Sequence, residues 1–456
     1  MTKRVAIIGA GPGGYVAAIR AAQLGCGVTL IEKDRVGGVC LNRGCIPTKT
    51  MAATAELLER ARRAAEYGLA AGEVRPEMPR LRARQEAVVK RLAGGIGLLL
   101  QKHKIELIQG AARFISPHEL EVALPDGGRR TVAADAFVIA VGTRAEAPAV
   151  FGYDGATVIT SDEALQIEEI PSRLVVVGGG VVGCEFASIF SALGAKVTVL
   201  ELMPGLLPML DAELGRALSL SFKKRGIEAV TGARVAKVVK ENGGARVELE
   251  DGRSFQADRV LISIGRHAET EALNPGAAGI RVDERGRIPV DRGLRTNVPH
   301  IYAIGDVNDL PYDLAHVASH HGLVAAANIA GEERTVETEV VPSVVFTLPE
   351  IASVGRTAEG AAAAGIRVQT GKFPFLASGK AVAMGETEGF VKIVADAETG
   401  RILGVHIMGP HASDLIAEGA LAVRTGATLE TVAWTIHAHP TLAETFMEAA
   451  EAAHGR

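Results

Sequence analysis

Arg4-Val5-Ala6-Ile7-Ile8-Gly9-Ala10-Gly11-Pro12-Gly13-Gly14 is a short apolar strand that runs into a glycine-rich turn. An Ala-rich stretch with helical spacing follows as far as Leu24, then a second β-rich run, Val28-Thr29-Leu30-Ile31, closed by the acid Glu32. Strand, turn, helix and strand in this order make the opening unit of a parallel α/β sheet. Gly9, Gly11 and Gly14 then have separate uses: a tight turn, a close approach of backbone to a pyrophosphate, and close packing of helix on sheet. The helix N-terminus brings unpaired N–H groups and a partial positive charge to the same point. Glu32 is placed to accept a hydrogen bond from a ribose hydroxyl. A glycine turn by itself is weak, because ordinary βα corners carry glycine too. The strand, the helix and the terminal acid around it carry the dinucleotide reading.

The pattern recurs about 170 residues on. Leu174-Val175-Val176-Val177 leads into Gly178-Gly179-Gly180-Val181-Val182-Gly183, a helix to Leu193, and Lys196-Val197-Thr198-Val199-Leu200-Glu201. Two copies imply two nucleotide sites. Glu201 suits the free 2′-hydroxyl of NAD and repels the 2′-phosphate of NADP, and Leu202-Met203-Pro204 supplies no Arg for a phosphate. Each copy is followed by an antiparallel piece. In the first half, Ala111 to Thr131 alternates around the turn Asp126-Gly127-Gly128 as a meander. In the second, a hairpin runs from Ala245 to Leu249, through Asp251-Gly252, to Phe255. Each half closes on an apolar strand ending in glycine, Ala140-Val141-Gly142 and Ser263-Ile264-Gly265. Residues 51 to 103 read as a pair of long scaffold helices with a break near Pro76 to Pro79.

Directly behind the first unit stands Gly37-Gly38-Val39-Cys40-Leu41-Asn42-Arg43-Gly44-Cys45-Ile46-Pro47-Thr48-Lys49. A thiol pair beside a bound redox cofactor can relay two electrons if one sulfur lies against the cofactor and the other faces the substrate. The remaining cysteines, Cys26 and Cys184, form no second pair, so a zinc site is not expected. The length of 456 residues suggests about three domains, and a hydrophobic share of 48% is ample for their cores. A formal net charge of −4, with Arg and Lys scattered, gives no footprint for nucleic acid. No export leader and no long apolar run are read, so a cytoplasmic chain with no membrane span is expected.

On these motifs the chain resembles the flavoprotein pyridine nucleotide-disulfide oxidoreductases over essentially its whole length. The likeness also rests on Thr296-Asn297-Val298-Pro299-His300-Ile301-Tyr302-Ala303-Ile304-Gly305-Asp306-Val307, on Pro342-Ser343-Val344-Val345-Phe346-Thr347-Leu348-Pro349-Glu350, and on His437-Ala438-His439-Pro440-Thr441-Leu442-Ala443-Glu444. The joint occurrence is far more specific than any one motif. The resemblance implies an α/β fold of the glutathione reductase type: two Rossmann-like dinucleotide-binding domains and a C-terminal α+β dimerisation domain. It divides the chain into an FAD domain at 1–145, an NAD domain at 146–270, a second part of the FAD domain at 271–336 and an interface domain at 337–456.

The resemblance assigns the first glycine turn to FAD and the second to NAD. It sets Lys33, Gly38, Ala112 and Gly142 on FAD, Asp306 on the ribityl chain, and Leu314-Ala315-His316 near the flavin. Val182, Val235 and Gly265 join the NAD contacts, and Lys49 pairs with Glu185 beside the flavin ring. Read alone, Asp306 is equally a turn cap, and Lys49 a solvated helix charge.

Twelve histidines offer a base. Most, such as His103, His118 and His454, read as surface groups, and His437 as structural. His439 differs, because Pro440 fixes the chain after it and Glu444 follows within reach to orient it. The implied activity is oxidation of protein-bound dihydrolipoyl groups through a Cys40–Cys45 disulfide and FAD, with reduction of NAD. His439 and Glu444 would serve the cysteines of the other subunit of a homodimer. A helix beginning near Pro47 is expected to favour the Cys45 thiolate. The implied partners are lipoyl domains of a 2-oxo acid dehydrogenase acyltransferase or of a glycine-cleavage carrier protein, on another chain, since no lipoyl-like domain is read before the first strand.

Three stretches depart from the family pattern. Arg43 replaces a small apolar residue, bringing a cation to the dithiol that lowers a thiol pKa or selects an anionic substrate. Arg266-His267-Ala268-Glu269-Thr270 follows Gly265 where a Pro-Asn pair is commoner, and residues 377 to 380 differ mildly. The alternative reading is another NAD(P)H-dependent flavoprotein disulfide reductase with a different disulfide substrate.

Overall fold

The computed structural model describes residues 2–241 and 243–455, and the chain divides into two compact units. The first holds residues up to 51, 79–146 and 265–338; the second holds 52–78, 147–264 and those from 339 on.

The first unit is built on a five-stranded sheet in the order Ile301–Ala303, Ala136–Ile139, Arg4–Ile8, Gly27–Glu32, Glu106–Gln109. All four pairings are parallel. Buried on both faces, such strands read as unbroken apolar runs, and Val5 to Ile8 are accordingly all buried. On one face, helices Pro12–Gln23 and Ala315–Ala330 pack through small residues, Ala17, Ala18 and Ala21 meeting Ala325 and Ala326. On the other, the meander Ala111–Ser116, Glu119–Ala123, Arg129–Ala133 contributes Phe114, Leu120 and Val122 to a core with Ala6, Ile8 and Phe137. The strand order reverses between Arg4–Ile8 and Ala136–Ile139, which is where open α/β sheets bind ligands, beyond the carboxyl ends of the strands.

The second unit repeats the plan. Its parallel sheet runs Glu228–Thr231, Lys196–Glu201, Arg173–Val177, Arg259–Ile262, Val158–Ile159, with the reversal again after the strand that precedes the glycine turn. The antiparallel piece differs from the expected hairpin: a further strand, Val235–Glu241, makes it three-stranded. A register irregularity between Val235 and Lys237 breaks its alternation, which removes the period-2 signal from the sequence.

The same unit contains a five-stranded antiparallel sheet, Ser343–Val345, Glu350–Gly355, Ile402–Gly409, Phe390–Asp396, Val368–Pro374. Val391, Ile393, Val405 and Ile407 share a core with helices Ala412–Thr425 and Glu444–His454. Alternate positions carry the polar set Ser353, Lys392 and His406, all buried. Lys392 Nζ reaches Asp211 Oδ2 at 2.9 Å and Glu213 Oε1 at 3.0 Å, at the N-terminus of helix Ala212–Lys224, where Asp211 also caps the Glu213 N–H. Ser353 Oγ lies 2.8 Å from His406 Nδ1. The element pattern is that of a mixed α/β fold of the glutathione reductase type.

Candidate active site

The first glycine turn is shaped by contacts that exclude side chains. Gly9 has φ 99°, and a Cβ on Gly14 would stand 1.8 Å from the Gly9 carbonyl oxygen, so the helix can sit this close to the strand end only with glycine there. Gly178, at φ 111°, and Gly183, whose Cβ would meet the Gly178 oxygen at 1.9 Å, reproduce the geometry in the second unit. Around Gly11 and Gly180 space is open: a Cβ would meet nothing nearer than Gly38 Cα at 3.9 Å in the first case and nothing within 4 Å in the second. Each turn presents the uncapped start of a helix of 12 or 13 residues to that space. An uncapped helix start with open backbone beside it is the setting in which helices bind phosphate groups.

Both terminal acids are buried, and both brace the turn. Glu32 accepts the Ala10 N–H at 2.6 Å and the Asp34 N–H at 2.8 Å; Glu201 accepts the Gly179 N–H at 2.5 Å and the Met203 N–H at 2.6 Å. These carboxylates fix the loop's shape. Lys33 is joined to Glu269, from the stretch that departs from the family pattern.

The dithiol is tied to the first turn. The Gly37 N–H donates to the Ala10 carbonyl at 2.8 Å, and Gly37 and Gly38 hold φ values of 99° and 58°, with Gly37 against Leu41 and Gly38 against Gly11. Cys40 lies on a short helix, Gly38–Arg43, and Cys45 opens the helix Cys45–Arg62. The second helix therefore begins two residues ahead of the expected start at Pro47. Proline is tolerated in a first helical turn, where its missing N–H would have no partner. Gly44 separates the helices, with room for its Cβ limited by Val39 O at 3.0 Å and Cys40 Cα at 3.2 Å. The two thiols are in hydrogen-bonding contact. That contact and burial push the Cys40 thiol up, and the Lys49 ammonium opposes them. Arg43 reaches Asp34 at 3.1 Å, and Lys49 acts on Cys40.

Asp306 sits in the turn Gly305–Val307 after strand Ile301–Ala303. Its Oδ2 accepts from the Thr143 hydroxyl at 3.2 Å, and no donor among the described residues reaches Oδ1. Burial, then Asp313, push its carboxyl up; Arg266, Thr143 and Arg287 oppose them. A carboxylate so placed with one oxygen free suits a polyol. With the open glycine turn in the same unit, the residues fit FAD. Ala112 lies in strand Ala111–Ser116, Gly142 precedes Thr143, and Leu314, Ala315 and His316 open helix Ala315–Ala330, all in this unit.

In the second unit Val182 is exposed on the helix after the second turn, Glu185 is buried and accepts the Phe346 N–H at 2.9 Å, and Val235 begins its strand. Gly265 belongs to the first unit, beside Glu146. His439 Nδ1 lies 2.8 Å from Glu444 Oε1, and the Thr441 N–H donates to Oε2 at 2.8 Å. That N–H, then the His439 bond, hold the Glu444 carboxyl below its usual range. The His439 side chain is 79% exposed, so the base faces outward. His437 is bonded to Glu418 at 2.9 Å. Buried His321 and His406 had no signal in the sequence, since what marks them is tertiary enclosure. No cluster of metal-binding side chains occurs among the described residues, and no helix there is long and apolar enough to cross a membrane.

Residues 3–322 match the family described as pyridine nucleotide-disulphide oxidoreductase and residues 341–450 match its dimerisation domain, so the chain belongs to that family, whose members work with FAD and NAD. It is 46% identical to dihydrolipoyl dehydrogenase of Thermus scotoductus over 456 residues, covering 98% of this chain and 96% of the relative. The Bacillus subtilis dihydrolipoyl dehydrogenase is 42% identical over 466 residues, covering 99% and 98%. Among solved structures, LpdA from Mycobacterium tuberculosis superimposes with a TM-score of 0.93 at 31% identity, with 99% of each chain covered. The HOCl-induced flavoprotein disulfide reductase of Escherichia coli gives 0.89 at 28%, covering 98% of this chain and 99% of that one. The dimerisation domain supports a homodimer.

Proposed function

We propose that this chain is a dihydrolipoyl dehydrogenase, oxidising protein-bound dihydrolipoyl groups and reducing NAD. The observation that supports this most is a dithiol bonded to a nucleotide-binding turn, in a chain that matches dihydrolipoyl dehydrogenases nearly end to end. FAD, on the first glycine turn with Asp306, supplies the step between thiol and nicotinamide chemistry. The second turn and Glu201 take NAD.

The chain's own residues do the thiol chemistry. Glu444 accepts the Nδ1–H of His439, leaving Nε2 to take the proton of a substrate thiol. The substrate thiolate attacks Cys40 in a Cys40–Cys45 disulfide: a mixed disulfide forms on Cys40 and Cys45 leaves as thiolate. The second substrate thiol then attacks its own neighbour, the substrate departs as a cyclic disulfide, and Cys40 is released reduced. Two electrons have moved to the Cys40–Cys45 pair. Cys45, at a helix N-terminus, is stabilised as thiolate by the helix dipole, and Lys49 adds its charge.

An outward-facing base on a dimerisation domain fits action on the dithiol of a second copy. The partners are lipoyl domains of a 2-oxo acid dehydrogenase acyltransferase or of a glycine-cleavage carrier protein, in the cytoplasm. The test is NAD reduction by flavin-loaded protein with dihydrolipoamide as donor, beside Cys45→Ser. Fast turnover lost in the variant is expected. Negligible turnover by the unaltered protein, with NADH still reducing its flavin, would transfer the reading to a different disulfide substrate.

A further inference from the structure

In the two-stranded antiparallel ribbon of Thr143–Ala145 with Arg266–Ala268, in the first unit, Arg266 stands opposite Ala145 and Thr143 opposite Ala268, and the long Arg266 side chain reaches diagonally to Thr143. Arg266 Nε donates to Thr143 Oγ1 at 2.7 Å, and Nη2 donates to the Thr143 carbonyl at 2.8 Å. Guanidinium only donates, and a hydroxyl carries one hydrogen. With Arg266 occupying a lone pair, the buried Thr143 hydroxyl has its hydrogen free for Asp306 Oδ2. The bonds therefore run one way, from Arg266 through Thr143 to Asp306.

The backbone beneath Asp306 is held independently. Gly305 has φ 67°, and its N–H donates to Nδ1 of buried His321 at 3.2 Å. Burial pushes that imidazole down to about 4, so it remains a neutral acceptor around pH 7. The leading charged groups acting on the Asp306 carboxylate are Asp313, Arg266 and Arg287, and Arg287 is itself paired with Asp313 at 2.7 Å. Arg266 is thus the cation that reaches Asp306 through a hydrogen-bonded relay while making no bond to it.

We propose that Arg266, acting through Thr143, is a positioning residue for the flavin: it aims the Thr143 proton at Oδ2 and keeps Asp306 an oriented carboxylate whose Oδ1 is left for the polyol chain of FAD. The inference rests on the assignment of FAD to this unit. Without the relay, the burial and the Asp313 charge that push Asp306 up act less opposed, and the acceptor is lost by protonation as pH falls.

The test is FAD dissociation, followed by the rise in flavin fluorescence on release, between pH 6 and 9. The proteins are wild type, Thr143→Ser, Thr143→Val, Arg266→Met, Asp306→Asn and the double variant Arg266→Met/Asp306→Asn. Thr143→Ser keeps the hydroxyl and should hold FAD within about twofold of wild type. Thr143→Val and Arg266→Met should weaken it by roughly tenfold or more, increasingly so toward pH 6. In the Asp306→Asn background, Arg266→Met should add little and the pH dependence should vanish. Wild-type affinity and pH profile in both Thr143→Val and Arg266→Met would overturn the proposal, as would an Arg266→Met effect undiminished beside Asp306→Asn, which would mark a purely structural arginine. A wild-type protein that binds no FAD would overturn the cofactor assignment and the proposal with it. Far-UV circular dichroism of the flavin-free proteins separates weak binding from misfolding, and equal losses in Thr143→Ser and Thr143→Val would overturn the hydroxyl relay.

Discussion

His439 presents Nδ1 to Glu444 Oε1 at 2.8 Å, while Glu444 spends its second oxygen on the Thr441 N–H. One carboxylate thereby orients the ring and fixes the turn that carries it. The Thr441 N–H and then the His439 bond hold the carboxyl below its usual range, so the bond is kept to lower pH than an unpaired carboxylate would allow.

Replacing Glu444 with Gln removes the carboxylate that orients the His439 ring and holds the Thr441 N–H. Turnover with dihydrolipoamide should fall as a result. His439→Gln should lower turnover by about 10²-fold or more, the usual range for a general base. Wild-type turnover in Glu444→Gln would remove Glu444 from this role.

The thiol of Cys40 is raised first by its bond to Cys45, then by burial, and lowered by Lys49. Cys45→Ala removes the leading cause, so Cys40 should be alkylated by iodoacetamide at lower pH than in the reduced parent protein. Lys49→Met should shift the parent profile the other way. Rates against pH measure both, and a Cys45→Ala profile displaced upward would contradict the pairing.

Gly183→Ala would place a methyl 1.9 Å from the Gly178 oxygen, with no flexible side chain to yield. The backbone must move, at a stability cost of about 1–3 kcal/mol. NAD affinity should fall while flavin content stays at one per chain, and calorimetry with absorbance reads both. Equal loss of flavin would argue against separate sites.

Lys392 is buried between Asp211 and Glu213. Lys392→Met leaves the Asp211 carboxylate enclosed without its cation, a loss of about 3–5 kcal/mol. Burial alone would lower the ammonium's pKa, yet the two carboxylates raise it overall. A raised folded-state pKa means the contribution is complete below the unfolded value, near 10.4, and fades as pH rises through the folded one. The Tm difference between parent and variant should therefore be constant around neutrality and shrink in strong alkali. Lys392→Met with Asp211→Asn should recover part of the loss.

Much of the fold was legible because its determinants are local. Strand, turn and helix at residues 4–23 and 173–193 each announce themselves within about twenty residues, through continuous apolar runs and glycines that no other residue can replace. The dithiol was legible as a pair, but its helical setting was not, since a six-residue helix between glycines has too short a period to read. Strand Val235–Glu241 was hidden by its bulge.

By itself the sequence determined two nucleotide-binding turns, the acids that end their second strands, a cysteine pair behind the first turn and a His–Glu pair five residues apart, because each is encoded by neighbours along the chain. Only the tertiary structure decided that Arg43 pairs with Asp34 and that Lys49 acts on Cys40; that Lys392 meets Asp211; and that Arg266 bonds Thr143 and, through it, Asp306. Arg266 and Thr143 stand 123 positions apart, and Lys392 and Asp211 stand 181 apart. Which charge faces which carboxylate depends on how sheets and ribbons bring distant strands together, and a hydrogen bond's strength falls away within an ångström of its proper length.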